Sequence, residues 1–253
     1  MSPHAPSARL TRTVVGTTAA VTLLLLAGCG ALPGRAMKTS TSEATVTEAV
    51  TAVEITDARR GSVEVTPGSG AGVTVHRTVH YRGDTTPEPG RRVSDGTLSF
   101  TNGCGNDCWV DYRLVVPATV KVKIDGSSGD VSVTGVARAE VDTDSGDVRV
   151  ERIAGPLKVR TSSGEIRAGA LSDAGADIRT DSGDTTLDFA QVPRSVSVTS
   201  TAGDVDVTVP RAPYEVTAST TSGTRRIAVP TTPAAPSRLA LKTTSGDVHV
   251  STT

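Results

Sequence analysis

From Val53 onward, apolar and polar residues alternate in short runs. Val53-Glu54-Ile55, Val63-Glu64-Val65 and Val73-Thr74-Val75 set β-branched side chains on one face, and Val115-Val116 continues the set. A period of two with branched residues is the pattern of half-buried strands. Gly- and Pro-containing clusters at residues 57–61, 67–70 and 86–90 supply turns between the runs. No stretch keeps a helical period beyond a turn or two, so the chain reads as all-β.

The pattern then repeats. Seven turns follow one template: Ser128-Gly129-Asp130, Ser145-Gly146-Asp147, Ser163-Gly164-Glu165, Ser182-Gly183-Asp184, Ala202-Gly203-Asp204, Ser222-Gly223-Thr224 and Ser245-Gly246-Asp247. Successive glycines are 17, 18, 19, 20, 20 and 23 residues apart. Alternating runs such as Val141-Asp142-Thr143 and Val148-Arg149-Val150 flank each turn, and looser corners near Gly155, Gly175 and Pro210 separate the units. Glycine accepts positive φ without Cβ strain, and the flanking Ser and Asp can hydrogen-bond free turn backbone. Aromatic residues make up only 2% of the chain, which suits a narrow tube filled by Val, Ile, Leu and Thr. A single coil cannot bury its own apolar face, so neighbours must stack.

The expected fold is therefore a β-helix-like solenoid with about 17–23 residues per coil. Seven units at about 4.8 Å per coil span about 34 Å. An antiparallel meander or sandwich, with each Ser-Gly-Asp corner a hairpin, also fits the local pattern. The recurrence of Thr143, Thr161, Thr180, Thr220 and Thr243 just before the turn favours the solenoid, because stacked coils need that register. One unit departs from the template. Thr224-Arg225-Arg226 stands where Asp-Val is expected, and Arg225 falls on an inward position.

The N-terminus carries a different signal. An apolar run over residues 14–27 follows Arg9 and Arg12 and ends in Leu26-Ala27-Gly28-Cys29. Basic start, apolar middle and small-residue exit describe a secretory signal peptide over residues 1–28. The run is shorter than the roughly 20 residues that span a bilayer. Leu-Ala-Gly-Cys resembles the bacterial lipobox, which implies that Cys29 is lipidated and anchors the mature chain on the extracytoplasmic side of the cell membrane. Residues 29–52, rich in Thr, Ser and Ala, read as a flexible tether, with an r.m.s. reach of about 25 Å for some 20 residues. Residues 53–253 form the β-repeat domain.

Charge narrows the function. Arg9 and Arg12 leave with the signal peptide, so 24 of 26 basic residues remain against 27 acidic ones. That balance excludes the basic face of a nucleic-acid binder. Cys104 and Cys108 bracket a tight loop, fit an oxidising compartment and are expected to form a disulfide, with Trp109 packed beside it. A redox motif would have two residues between the cysteines rather than three.

The cysteine pair, then Trp109-Val110-Asp111-Tyr112-Arg113-Leu114-Val115-Val116-Pro117, then serial Ser-Gly-Asp-Val turns, resembles the bacterial putative-adhesin family of β-strand-repeat domains of unknown function. The resemblance covers residues 53–253. It implies a right-handed β-helix-like fold on secreted or membrane-attached proteins, and a neighbourhood that includes cell-envelope stress components.

No catalytic constellation accompanies this. The chain has no Gly-x-Ser-x-Gly elbow, His-Glu-x-x-His pair or phosphate-binding Gly loop. His76 and His80 fall on one strand face about 13 Å apart, too far to share a metal, and read as solvent-facing. A glycosidase needs two carboxylates facing each other across a cleft, whereas the repeat places its acids at equivalent positions, in a column. Asp142-Thr143-Asp144-Ser145-Gly146-Asp147 lacks the glycine position and twelfth-position Glu of an EF-hand. The expectation is a non-catalytic binding or scaffold module without metal or cofactor. Its partner would be an envelope protein or a cell-wall glycan; an accessory or sensory role in an envelope-stress system is the alternative.

Overall fold

The computed structural model describes residues 36–253 except Asn102, Asn106 and Asp173. The expected signal peptide and Cys29 lie outside the described residues. Those described form 21 strands and no helix. The N-terminal third holds β1 (Lys38–Val46), β2 (Ala52–Ile55), β3 (Val63–Gly68), β4 (Val73–Tyr81), β5 (Gly90–Ser94), β6 (Thr97–Thr101) and β7 (Cys108–Pro117). The repeats follow as strand pairs: β8 (Lys121–Asp125) with β9 (Val131–Thr134), β10 (Arg138–Ser145) with β11 (Val148–Glu151), and β12 (Leu157–Ser163) with β13 (Ile166–Leu171). Then come β14 (Ala176–Ser182) with β15 (Thr185–Phe189), β16 (Ser195–Ala202) with β17 (Val205–Val209), β18 (Glu215–Ser219) with β19 (Arg225–Ile227), and β20 (Arg238–Lys242) with β21 (Val248–Thr252).

Each pair is one coil that gives a strand to each of two sheets. The first sheet runs β1-β4-β7-β3-β9-β11-β13-β15-β17-β21-β19, and the second β18-β20-β16-β14-β12-β10-β8-β2-β6-β5. Coil-to-coil pairing is parallel throughout, as in Val148↔Ile166 and Val141↔Val159. The antiparallel pairs are β1 with β4, β4 with β7 and β5 with β6. The sandwich alternative fails at its decisive point, since the strands either side of Ser145-Gly146 sit in different sheets.

Parallel register stacks like on like. On the first sheet Val63, Val131, Val148, Ile166, Thr185, Val205 and Val248 form one inward row. All are 0–3% exposed. Full burial of one such aliphatic side chain contributes about 1.5–3 kcal/mol. Thr185 is the exception in chemistry, because its hydroxyl is buried without a hydrogen-bond partner. Thr185→Val keeps the shape and removes that unpaired group, so we expect stability to rise by about 1 kcal/mol. Chemical denaturation with an unchanged m-value checks this; a loss of stability would show that the hydroxyl has a partner.

Two features depart from the sequence reading. Within the span read as tether, Lys38–Val46 is a nine-residue strand paired antiparallel along β4 from Lys38↔Tyr81 to Val46↔Val73. Val46 and Val50 are buried. Nor do the coils stack in sequence order at either end. The β2–β3 coil sits between the β6–β7 and β8–β9 coils, and the last coil, β20–β21, sits between β16–β17 and β18–β19. The β18–β19 coil thus closes the stack. Arg225 occupies the inward row there, beside Val248. With no further coil to cover it, the side chain is exposed and its Nη1 donates to the Ala218 carbonyl across the coil end at 2.9 Å. The irregular residue is a lid on the core.

Candidate functional site

The Ser-Gly-Asp arches carry three columns up the stack. The glycines touch. A Cβ on Gly164 would lie 2.2 Å from the Gly146 carbonyl oxygen, and one on Gly129 would lie 2.0 Å from that of Gly61. Gly146, Gly164, Gly183, Gly203, Gly223 and Gly246 also have positive φ; at Gly129 the close approach alone requires glycine. Of the threonines before the turn, Thr143, Thr161, Thr180 and Thr243 are buried, and each donates to the carbonyl two residues on, at 3.1, 2.8, 3.0 and 3.3 Å. Thr220 instead donates to the Gly246 carbonyl of the neighbouring coil at 2.8 Å. The hydroxyl satisfies arch backbone that valine would leave bare.

The acids form the third column. Asp130 Oδ1 accepts from the Asp147 N–H at 3.1 Å, Asp147 from Glu165 at 2.9 Å, Asp184 from Asp204 at 2.9 Å, Asp204 from Asp247 at 2.7 Å, and Asp247 from Thr224 at 2.7 Å. Each carboxylate ties its coil to the backbone of the next. Asp111 extends the ladder downward, with Oδ1 accepting the Ser62 N–H at 2.9 Å. Glu165, one methylene longer, pairs with Arg167. Thr224 carries no acid because no coil follows it.

The Thr224 N–H holds the Asp247 carboxyl below its ordinary value. A depressed folded pKa means that the stabilisation is present above the ordinary carboxylate value and is lost as pH falls through the folded one. Asp247→Ala is therefore expected to lower the melting temperature at neutral pH, with the gap to the parent closing by about pH 2. A gap of constant size across that range would contradict the capping role.

The outer face of the first sheet carries a concavity. An open groove of about 620 Å³ crosses β7, β3, β9, β11 and β13, with Thr41, His76 and Thr78 along its β1–β4 flank. The acids Asp130, Asp147 and Glu165 line it, as do Glu64, Arg113 and Arg149. Arg113 Nε donates to Glu64 at 2.7 Å. Arg149 is exposed and has no ion-pair partner among the described residues. The groove was not legible in the sequence, because its floor crosses five strands that are not consecutive in the chain.

Beside the groove, Cys104 and Cys108 are disulfide-bonded, as expected. Trp109 stacks on His80 with ring centroids 4.8 Å apart and an interplanar angle of 12°. His80 Nε2 lies 2.9 Å from Asp111 Oδ2. The reading of His80 as solvent-facing is thus corrected: its side chain is only 23% exposed, held between a ring and a carboxylate. His76 faces Glu43 at 3.6 Å. Among the described residues no group of three His, Cys, Asp or Glu side chains is arranged to hold a metal. The described residues include no helix long and apolar enough to cross a membrane. The repeat acids stand in a column, with one oxygen of Asp130, Asp147, Asp184, Asp204 and Asp247 engaged by backbone, rather than as a pair facing across a cleft.

Several solved structures are similar to the chain. A putative adhesin from Bacteroides fragilis is 14% identical with a TM-score of 0.50, over 88% of this chain and all of that one. A putative adhesin from Parabacteroides distasonis is 13% identical with a TM-score of 0.40, over 85% of this chain and 97% of that one. A putative cell adhesion protein from Clostridium sporogenes is 12% identical with a TM-score of 0.37, over 86% of this chain and all of that one. The likeness to the Bacteroides fragilis structure speaks to fold alone. No curated protein matches the sequence. A family model matches residues 92–251, most of the β-repeat stack, and the chain belongs to that family, Toastrack DUF4097.

Proposed function

We propose that the chain is a lipid-anchored, extracytoplasmic module that binds an envelope protein or cell-wall glycan without turning it over. The observation that carries this is the groove: a broad polar recess on a rigid, in-register sheet, whose repeat acids serve as backbone caps. Such a surface holds a ligand but offers no poised nucleophile–base pair. The Leu26-Ala27-Gly28-Cys29 motif supports the anchor. With a lipid on Cys29, residues 30–37 would be all that separates the anchor from β1. The β1 edge of the stack would then stand nearest the bilayer.

The test uses residues 36–253, which hold every described strand, incubated with isolated envelope fractions. Retention of the domain without release of sugar or peptide products supports the reading. Product release, or no retention on any fraction, contradicts it. The anchor is tested apart: Cys29→Ser should abolish acyl labelling, and normal labelling of that variant would remove the anchor from the account.

A further inference from the structure

We propose that the groove binds a neutral, hydroxyl-rich glycan strand laid across β7, β3, β9, β11 and β13. This deepens the binding-module reading and rests on it. Three observations point to that chemistry.

The first is charge. Glu64, Asp111, Asp130, Asp147 and Glu165 line the groove together with Arg113, Arg149 and Arg167. The acids repel a polyanion, and the arginines, spaced along the same floor, repel a polycation. A neutral ligand meets neither penalty.

The second is free hydrogen-bonding capacity. The ladder bonds of Asp130 and Asp147 use Oδ1, which leaves Oδ2 to accept. Arg149 contributes an uncommitted guanidinium, a donor only. Ser132 lies between Glu64 and Arg149 in register and adds a hydroxyl that both donates and accepts. Carboxylate acceptors beside a guanidinium and a hydroxyl match the vicinal hydroxyl and acetamido groups of a sugar.

The third is spacing. Arg113, Glu64, Ser132, Arg149 and Arg167 form one outward row of register partners across five adjacent strands. Neighbouring strands are about 4.8 Å apart, close to the rise per residue of an extended β-linked glycan. Each sugar along the row would meet a new polar side chain, over about 19 Å for the four steps. Trp109, two residues before Asp111 on the same face of β7, is outside the groove's lining and stacks on His80, so the spacing rests on the row of polar side chains alone.

The experiment is titration calorimetry of residues 36–253 with chitotetraose as the neutral probe, and with inorganic polyphosphate and tetralysine as charged competitors. Two variants locate the site. Arg149→Ala removes an exposed donor. Asp147→Asn keeps an oxygen for the Glu165 N–H while replacing the free carboxylate oxygen by an amide. Arg149→Ala should melt like the parent, and Asp147→Asn should remain folded at the temperature of the titration. We expect chitotetraose to bind, each variant to weaken binding about tenfold or more, and neither competitor to displace the sugar. No binding at millimolar chitotetraose, unchanged affinity in both variants, or displacement by polyphosphate would overturn the proposal. Retention on envelope fractions that survives in Arg149→Ala would then show the groove inference to be wrong while the binding-module reading stands.

Discussion

Gly164→Ala is expected to cost about 3 kcal/mol or more and to unfold the repeat region at temperatures where the parent is folded. Gly164 has φ of 121°, a conformation that strains any residue with a Cβ. The Cβ itself would sit 2.2 Å from the Gly146 carbonyl oxygen. Relief would require the two coils to part at the arch. That breaks the Glu165 N–H to Asp147 Oδ1 bond and the Val148 N–H to Glu165 carbonyl bond, both 2.9 Å. The next coil presses on Gly164 in the same way, since a Cβ on Gly183 would meet the Gly164 carbonyl at 2.2 Å. Gly169→Ala is the control. It lies on the neighbouring strand, where a Cβ has only the Glu151 Cγ at 4.0 Å. Thermal melting followed by circular dichroism should separate the two variants clearly, and equal melting temperatures would refute the stacked-glycine column.

Val148→Asp is the second large effect. Val148 is 1% exposed, with Val131 and Ile166 as register partners on either side. The substitution removes about 1.5–3 kcal/mol of aliphatic burial and places an unpaired carboxylate in the core, which costs several kcal/mol more. The domain should not fold. Arg149→Asp, one residue on and exposed, should stay within about 0.5 kcal/mol of the parent. Equal tolerance of both would mean that the inward assignment is wrong.

Both residues were legible in the sequence because a parallel stack writes its register into the chain. Gly, Asp and Thr recur at fixed offsets when each must meet its own kind one coil away. The same logic explains the deviations. Thr224 lacks the acid and Arg225 breaks the apolar row in the coil that ends the stack. What the repeat does not encode is the order of coils at the ends. Thr224 and Arg225 mark the β18–β19 coil as irregular, but that it lies outside the coil that follows it in the chain is set by its pairing with β20 and β21, which the repeat pattern does not contain. The β1 strand was hidden for another reason. It lies at the sheet edge, its side chains are largely exposed, and so it carries Thr and Ser where an alternating apolar pattern would have marked it. The groove is hidden twice over, since β7 and β3 reach it through the displaced coil order.

The inserted last coil is therefore the sharpest mark of the account, and paired cysteines read it directly. Asp206 and Arg226 are both register partners of His249, which lies between them. Neighbouring strands are close enough for a disulfide, whereas Asp206 and Arg226, two strands apart, exceed the roughly 7 Å Cα separation that a bridge tolerates. Oxidation followed by peptide mass mapping should show a bond in the Asp206→Cys/His249→Cys double variant and none in Asp206→Cys/Arg226→Cys. A bond between positions 206 and 226, with none between 206 and 249, would mean that the coils stack in sequence order and would contradict the fold described.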